Sequence, residues 1–227
     1  ALERVWPVPV PEKIIVAAGD SRRVNLIQDA AADQVIVRDF TIEVGVGASF
    51  AMQLVNTGGK LGRVALDVTL YDGASFDLDA ALIGGEGQTV ELVTNLRHFE
   101  ANATSRQTVR GIAGSKGTIS YLGKVAVSRD AQKTDSVQSV KGMLLDRSGT
   151  VNAKPELEIF ADDVKCTHGA TVGELDAQAL FYLASRGLPP AEAKGLLLRA
   201  FVSGLFDGSD EEATFAAAID VALERLL

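Results

Sequence analysis

Two residues with metal-ligand chemistry, Cys166 and His168, lie one residue apart in the stretch from Ala161 to Gly173, ADDVKCTHGATVG. If this stretch is extended, both side chains point to the same face, with their Cα atoms about 6.5–7 Å apart. A thiolate and an imidazole both bind soft or borderline metal ions. A catalytic Cys–His pair instead needs direct hydrogen bonding and a third, orienting group from distant sequence. Neighbours on one strand fit that requirement poorly, so the spacing favours ligand chemistry over catalysis.

The supply of ligand residues limits any such metal site. The chain has one cysteine and two histidines, which cannot complete a four-ligand iron–sulfur cluster by themselves. If Cys166 and His168 are ligands, the other ligands must come from another chain. The alternative is structural, with a buried cysteine and a hydrogen-bonded histidine. The other histidine, His98, has no metal partner nearby and is interpreted as structural or exposed.

Composition excludes several classes of function. The net charge of −8 over 227 residues argues against a nucleic-acid partner, because neutralising phosphates requires clustered Lys and Arg. No run approaches the roughly 20 apolar residues of a membrane span, and the first residues lack a signal-peptide pattern. A single cysteine excludes an internal disulfide and suits a reducing compartment. We therefore expect a soluble, cytoplasmic protein without a membrane partner.

Glycine-rich turns do not predict nucleotide binding. The run from Gly111 to Thr118 lacks the G-x-x-x-x-G-K-[ST] spacing of a phosphate loop, and the turn from Gly84 to Gly87 carries a glutamate where an anion would sit. Both are interpreted as corners between strands. Any dependence on ATP would have to come from a partner.

Alternating apolar residues predict many short strands between about residues 13 and 160. Pro7, Pro9 and Pro11 predict an extended lead-in before them. The quartet Gly-Ala-Ser-Phe begins at Gly47 and again at Gly73, 26 residues later, while Asn56-Thr-Gly-Gly is predicted to break a strand. A sandwich or barrel and a β-solenoid both fit such a pattern, and the internal repetition favours the solenoid. Polar clusters at residues 104–108 and 130–138 either line a site or form solvated strand faces and turns, and the second interpretation is favoured.

The last 50 residues predict three helices. The first runs from Leu175 to Arg186 with Gly187 as its C-terminal cap, the second starts at Pro189-Pro190, and the third follows a capping box at Ser209–Glu212. We expect this tail to cover one end of the solenoid. The second helix has one apolar stripe that includes Leu196, Leu197 and Phe201, and a second apolar row, Leu198, Val202 and Phe206. That second row indicates either burial on two sides or a docking face for another protein.

Several motifs resemble one protein family. They are the run from Lys154 to Gly173, Thr104-Ser-Arg-Gln, Gly123-Lys-Val, the run from Asp130 to Asp135, and Ala179-Leu-Phe-Tyr-Leu-Ala-Ser-Arg-Gly187. Together they resemble the C-terminal core of the SufB/SufD proteins of iron–sulfur cluster assembly, and Cys-Thr-His-Gly-Ala-Thr-Val-Gly is similar to the SufD branch. The resemblance is close over the last half of the chain and loose over the glycine-rich coils.

The resemblance implies a right-handed parallel β-helix over residues 1–172 and a C-terminal helical domain over residues 173–227. It implies a scaffold subunit that is not an enzyme, pairs with a SufB-like subunit through the β-helices and binds a SufC-like ATPase through the helical region. His168 would lie at the SufB–SufD interface and help to hold a transient iron–sulfur cluster together with a cysteine from SufB. Cys166 would lie beside His168. No cofactor would be bound by the isolated chain.

Some expectations from the resemblance remain open. The chain is either a scaffold that contributes cluster ligands or a purely structural assembly partner in which Cys166 and His168 only pack at the interface. SufD-like chains also self-associate when SufB is absent, so a homodimer is expected for the isolated chain. Family members commonly carry an N-terminal helical segment, which is short or missing here before Val24. For ATPase docking, the predicted residues are Leu198, Val202 and Phe206.

Overall fold

The computed structural model describes residues 12–227. The predicted proline-rich lead-in, Pro7 to Pro11, lies outside these residues. The described part of the chain contains twelve strands followed by three helices. The strands are β1 (Lys13–Val16), β2 (Ser21–Ala30), β3 (Val35–Val44), β4 (Ser49–Gly58), β5 (Leu61–Leu70), β6 (Ser75–Gly84), β7 (Thr89–His98), β8 (Thr104–Ala113), β9 (Thr118–Val127), β10 (Asp135–Leu144), β11 (Thr150–Ile159) and β12 (Lys165–Glu174).

The strands form a parallel β-solenoid of about six coils. One sheet has the order β1-β3-β5-β7-β9-β11 and the other β12-β10-β8-β6-β4-β2, so each coil supplies one strand to each sheet. Strands adjacent in a sheet are parallel. A sandwich built from antiparallel hairpins is thereby excluded, and the solenoid prediction is confirmed.

The repeated Gly-Ala-Ser-Phe quartets occupy equivalent positions on neighbouring coils. Phe50 pairs with Phe76 in the register of β4 and β6, and their rings stack with centroids 6.1 Å apart. Gly47 and Gly73 adopt positive φ angles of 62° and 63° at the preceding corner, a conformation that glycine adopts without a steric cost. The repeat in the sequence thus follows from one corner and one stacked core position.

Side chains alternate between the interior of the solenoid and its outer surface. The interior is filled mainly by Val, Leu, Ile and Phe side chains that are almost fully buried. The break predicted at Asn56-Thr-Gly-Gly is confirmed, because β4 ends at Gly58, and Gly58 and Gly59 adopt positive φ angles of 76° and 79°. Asn56 itself still lies inside β4 and is fully buried. Its amide accepts a hydrogen bond from Gln28 at 3.0 Å and donates to the carbonyls of Gly62 and Glu91 at 3.0 and 3.2 Å. These bonds satisfy the asparagine within the core, so the strand continues through it.

The three helices are α1 (Ala177–Ser185), α2 (Pro190–Ser203) and α3 (Glu212–Glu224). The Asp176 carboxylate caps α1 by accepting from two backbone N–H groups, and Gly187 follows the helix with a φ of +90°. The predicted capping box of α3 is wrong in position, because the helix begins only at Glu212, with Glu211 as its N-cap residue. The Ser209 oxygen accepts from the Glu211 N–H at 3.2 Å, and its hydroxyl donates to the Gln53 side chain at 2.6 Å. None of the helices within residues 12–227 is long and apolar enough to cross a bilayer.

The helices pack on the outer face of the second sheet and not over an end of the solenoid. Outward-facing residues of β2, β4, β6 and β8 share one apolar cluster with α2 and α3: Ile27, Val55, Ala81, Ile83, Ile112, Leu198, Val202, Phe206, Phe215, Ala218, Ile219, Ala222 and Leu223. A bidentate ion pair between Arg225 and Asp29, at 2.7 and 2.9 Å, joins the end of the helical region to β2. The prediction that the tail covers an end is therefore wrong, since these helices bury a sheet face.

The second row of α2 belongs to this core. Leu198 and Val202 are fully buried and Phe206 is 2% exposed, and Phe206 stacks on Phe215 with ring centroids 4.4 Å apart. The prediction that Leu198, Val202 and Phe206 form an ATPase-docking face is wrong, because their surface is covered by the chain itself. The side of α2 predicted as its main apolar stripe is the more exposed one, with Leu196 45% exposed.

Candidate functional site

Cys166 and His168 lie in β12, the last strand of the solenoid. The register pairs Cys166 with Ser136 and His168 with Gln138 of β10. Because residues i and i+2 of a strand share a face, both side chains belong to the face that is inward in β10, where Ser136 and Gln138 are buried. The predicted extended conformation and shared face are confirmed.

Two inward-facing rows connect this pair with the interior of the solenoid. One row contains Ser105, Ser136 and Cys166, and the other contains Gln107, Gln138 and His168. One coil earlier the same positions are apolar, Phe76 and Leu78. These two rows of the interior therefore change from apolar to polar in the last three coils, and Cys166 and His168 end them.

In the glutamine row, the Tyr121 hydroxyl joins two amides. It donates to Gln107 Oε1 at 3.1 Å and accepts from Gln138 Nε2 at 3.1 Å. Since its single hydrogen is used toward Gln107, the Thr94 hydroxyl, 3.1 Å away, donates to it. Burial raises the pKa of Tyr121 to about 12, partly offset by the hydrogen bonds from Thr94 and Gln138. The phenol is therefore neutral and fixed at the centre of the network.

In the serine row, a hydrogen-bonded chain begins at His98. His98 Nε2 lies 2.9 Å from Ser105 Oγ, and Ser105 donates to Ser136 Oγ at 2.8 Å. Because the one hydroxyl hydrogen of Ser105 is used there, His98 Nε2 is the donor to Ser105. Burial lowers the pKa of His98 to about 4, so the ring is neutral at pH 7. Of the two interpretations of His98, the structural one is correct.

The polar stretches around residues 104–108 and 130–138 are thus not wholly solvated. Ser105, Gln107, Ser136 and Gln138 are at most 6% exposed. The residues that alternate with these four along the strands face outward. Both faces therefore contribute polar residues to these stretches. The prediction that they form only solvated faces and turns is wrong for every second residue.

Three buried polar atoms of these rows have no hydrogen-bond partner: His98 Nδ1, Gln107 Nε2 and Gln138 Oε1. An unpaired buried polar atom costs about 1–3 kcal/mol. These three unpaired atoms belong to the rows that lead to Cys166 and His168. Their energetic cost is therefore concentrated in the coils next to the two ligand-type residues.

The electrostatic setting differs between the two ligand-type residues. Cys166 is half-buried, and burial raises the pKa of its thiol, with a further rise from the Asp135 carboxylate and an opposing effect of the Ser136 backbone N–H. The thiol is therefore protonated at neutral pH and would lose its proton on binding a metal ion. His168 is exposed.

The residues near Cys166 and His168 do not form a complete metal site. Among residues 12–227 no group of three or more His, Cys, Asp or Glu side chains is placed to hold a metal ion. Two donors remain on β12, whereas a cluster needs more. That Cys166 and His168 contribute to a site shared with another chain stays a prediction.

The coil that carries these donors is open. Among residues 12–227, β12 pairs only with β10 and β11 only with β9, and every residue of β12 except Cys166 is exposed. Half-buried apolar side chains surround the pair, among them Val151, Leu157 and Val164. Such an edge, with unpaired backbone groups and partly covered apolar residues, is suited to pairing with another chain.

Sequence reasoning missed the polar interior, although one signal for it was present. The pattern Ser105-Arg-Gln107 recurs as Ser136-Val-Gln138, and Cys166-Thr-His168 follows at nearly the same interval. Three polar pairs with one spacing, each one coil apart, indicate two inward rows once the coil length is known.

Comparison with known proteins agrees with the motifs. The family model of the SUF system FeS cluster assembly SufBD core domain matches residues 12–201. The iron–sulfur cluster assembly protein SufD of Escherichia coli is 39% identical over 119 residues, which are 52% of this chain and 28% of the relative. Protein ABCI7, chloroplastic, of Arabidopsis thaliana is 32% identical over 209 residues, 89% of this chain and 43% of the relative. SufD of Bacillus subtilis is 28% identical over 155 residues, 68% of this chain and 35% of the relative. The chain spans less than half the length of these curated relatives.

Proposed function

The chain belongs to the SufBD core family of the SUF system of iron–sulfur cluster assembly, and from this premise we propose that it is a SufD-like, non-enzymatic scaffold subunit. It pairs with a SufB-like subunit through the open coil of β11 and β12 and contributes His168, with Cys166 beside it, to a shared site for a nascent cluster. The free thiol of Cys166 suits work in a reducing compartment such as the cytoplasm. The observation that carries this proposal is the position of two ligand-type residues on an uncovered coil that lacks further ligands of its own.

The cluster in this proposal is cargo that is built and passed on. Cys166 and His168 offer one sulfur and one nitrogen donor, and the partner supplies the rest. A site divided between two chains exists only in the assembled complex, so cluster formation depends on pairing. Release becomes possible when the two coils move relative to each other.

The test compares His168→Ala with Thr167→Ala in the complex with SufB-like and SufC-like subunits. Thr167 is the outward-facing neighbour on the same strand, so its variant controls for a change in β12 itself. We expect both variants to assemble and only His168→Ala to lose cluster formation, measured by absorbance and by iron and sulfide content. If Cys166→Ser and His168→Gln together leave cluster yield unchanged and weaken pairing, the chain is a purely structural partner instead.

For the SufC-like ATPase we propose the helical region, at a surface other than the buried row of α2. Helix α1 contains no buried residue, and it exposes Phe181 by 76% and Tyr182 by 56%. Apolar side chains this exposed are typical of a protein-binding surface. We expect Phe181→Asp to abolish co-purification of the ATPase without changing the unfolding midpoint, while Lys194→Asp, on the exposed side of α2, retains it. Retention of the ATPase by Phe181→Asp would place the docking surface elsewhere.

A further inference from the structure

A buried amide lies directly beside His168 in the register of β10 and β12. Gln138 is 1% exposed and pairs with His168 across β10 and β12. Parallel strands lie about 4.8 Å apart, so the two side chains leave neighbouring backbones in the same direction. The Gln138 amide is fixed at one end, because its Nε2 donates to Tyr121. Its Oε1 is buried and has no hydrogen-bond partner.

The free oxygen of Gln138 has two neighbours in its row. On the inner side is Gln107, whose Nε2 is also unpaired but does not bond to Gln138, since both amides are turned toward the Tyr121 hydroxyl. On the outer side is His168, whose neutral ring carries one N–H donor and one lone pair. An imidazole that binds a metal ion through one nitrogen needs an acceptor for the N–H of the other.

We propose that Gln138 is a positioning residue for His168, with Gln138 Oε1 accepting the hydrogen bond from the imidazole N–H that faces the interior. This contact selects one tautomer of the ring and directs its lone pair toward the open end of the solenoid. Tyr121 and Gln107 keep the amide from turning over, because a reversed Gln138 would direct a second oxygen at a Tyr121 hydroxyl whose only hydrogen is used by Gln107. The inference deepens the proposed function and rests on it only for the biological use of the oriented ring.

The tautomer can be measured directly by nitrogen NMR. The chain contains two histidines, so labelling with ¹⁵N-histidine gives two ring systems, one of which is the buried His98. The spectra are recorded at about pH 8.5, two units above the usual imidazole pKa of about 6.5. A single tautomer gives one protonated and one unprotonated nitrogen with well separated signals, whereas a mixture brings the two signals toward each other.

The decisive variant is Gln138→Met, which preserves the length of the side chain and removes the acceptor. We expect the two His168 ring signals to move toward each other in this variant, while the His98 signals stay in place and show that the coils are intact. The matched control is Thr94→Val, which has nearly the same shape and removes the Thr94 hydroxyl from the same Tyr121 oxygen while the bonds of Tyr121 to Gln107 and Gln138 remain; it should leave the His168 signals unchanged.

Two results would overturn the inference. One is a His168 ring whose signals are the same in the wild type and in Gln138→Met. The other is an equal change in Thr94→Val, which would indicate a general loosening of the polar rows. If the signals respond as expected but His168→Ala still forms clusters, the positioning of the ring stands and the proposed ligand role of His168 fails.

Discussion

The buried histidine beneath the site makes a quantitative prediction about the stability of the fold. His98 is fully buried, and burial lowers its pKa from 6.5 to about 4. In the unfolded chain the ring binds a proton below about pH 6.5, whereas in the folded chain it stays neutral down to about pH 4. The unfolded state thus binds more protons across this interval, and the free energy of unfolding decreases as the pH falls. At about 1.4 kcal/mol per pKa unit, the loss attributable to His98 approaches about 3 kcal/mol.

The measurement is urea unfolding of the wild type and His98→Gln from pH 7.5 to pH 4. Glutamine retains an N–H donor that can reach Ser105 and does not titrate. Other groups with shifted pKa values affect both proteins equally. One example is Asp79, whose pKa is raised by burial, with an opposing effect of Arg106. We therefore expect the difference in unfolding free energy between the two proteins to change by about 3 kcal/mol in favour of the variant as the pH falls. Parallel pH profiles would refute the neutral, buried state of His98.

Two further substitutions test the packing inside and outside the solenoid, each with a control on the same kind of position. Gly123→Ala should lower the free energy of unfolding in urea by about 1–3 kcal/mol, because the added carbon would lie 2.2 Å from the hydroxyl oxygen of the hydrogen-bonded Tyr121. At the control position, Gly169, an added carbon has no such neighbour within 4 Å, so Gly169→Ala should change the free energy of unfolding by less than about 0.5 kcal/mol. Leu198→Ala should cost about 2–5 kcal/mol if this fully buried side chain is core, while Leu196→Ala on the exposed side of the same helix should cost less than about 0.5 kcal/mol. A small effect of Leu198→Ala would contradict its assignment to the core.

The strands and the solenoid were predictable because each coil repeats a local pattern. Phe50 and Phe76 follow the same corner motif in the sequence, and their rings stack in the structure. A repeat that is visible in the sequence thus predicted which distant strands lie next to each other. The buried role of Asn56 could not be predicted, for the opposite reason. Its hydrogen-bond partners, Gln28, Gly62 and Glu91, come from other strands, and only the coil register reveals that they meet.

The sequence was enough to single out the two residues of the candidate site, but it did not predict the buried polar residues around them. Counting ligand-type residues showed only that any metal site of Cys166 and His168 would have to be shared, and the family resemblance was needed to favour a ligand role. The amide and hydroxyl rows beneath them consist of polar residues that also suit a solvated surface, so composition could not distinguish the two. The two apolar rows of α2 posed a similar problem. Both Leu196 and Leu198 fit a buried stripe, and only the position of the outer sheet face decides between them.

The change from apolar to polar residues along the interior also determines how firmly successive coils hold together. Burying a phenylalanine such as Phe76 contributes about 1.5–3 kcal/mol, whereas a hydrogen bond such as that between Ser105 and Ser136 contributes about 1 kcal/mol. In a solenoid the stability is close to a sum over neighbouring coils, so cohesion decreases toward β12, which has a neighbour on one side only. The last coil is therefore the first to open in local unfolding and should show the fastest amide hydrogen exchange. In the proposed complex, a partner that docks on β12 would complete the folding of this strand as it binds, so that Cys166 and His168 would become rigid only once the partner has arrived.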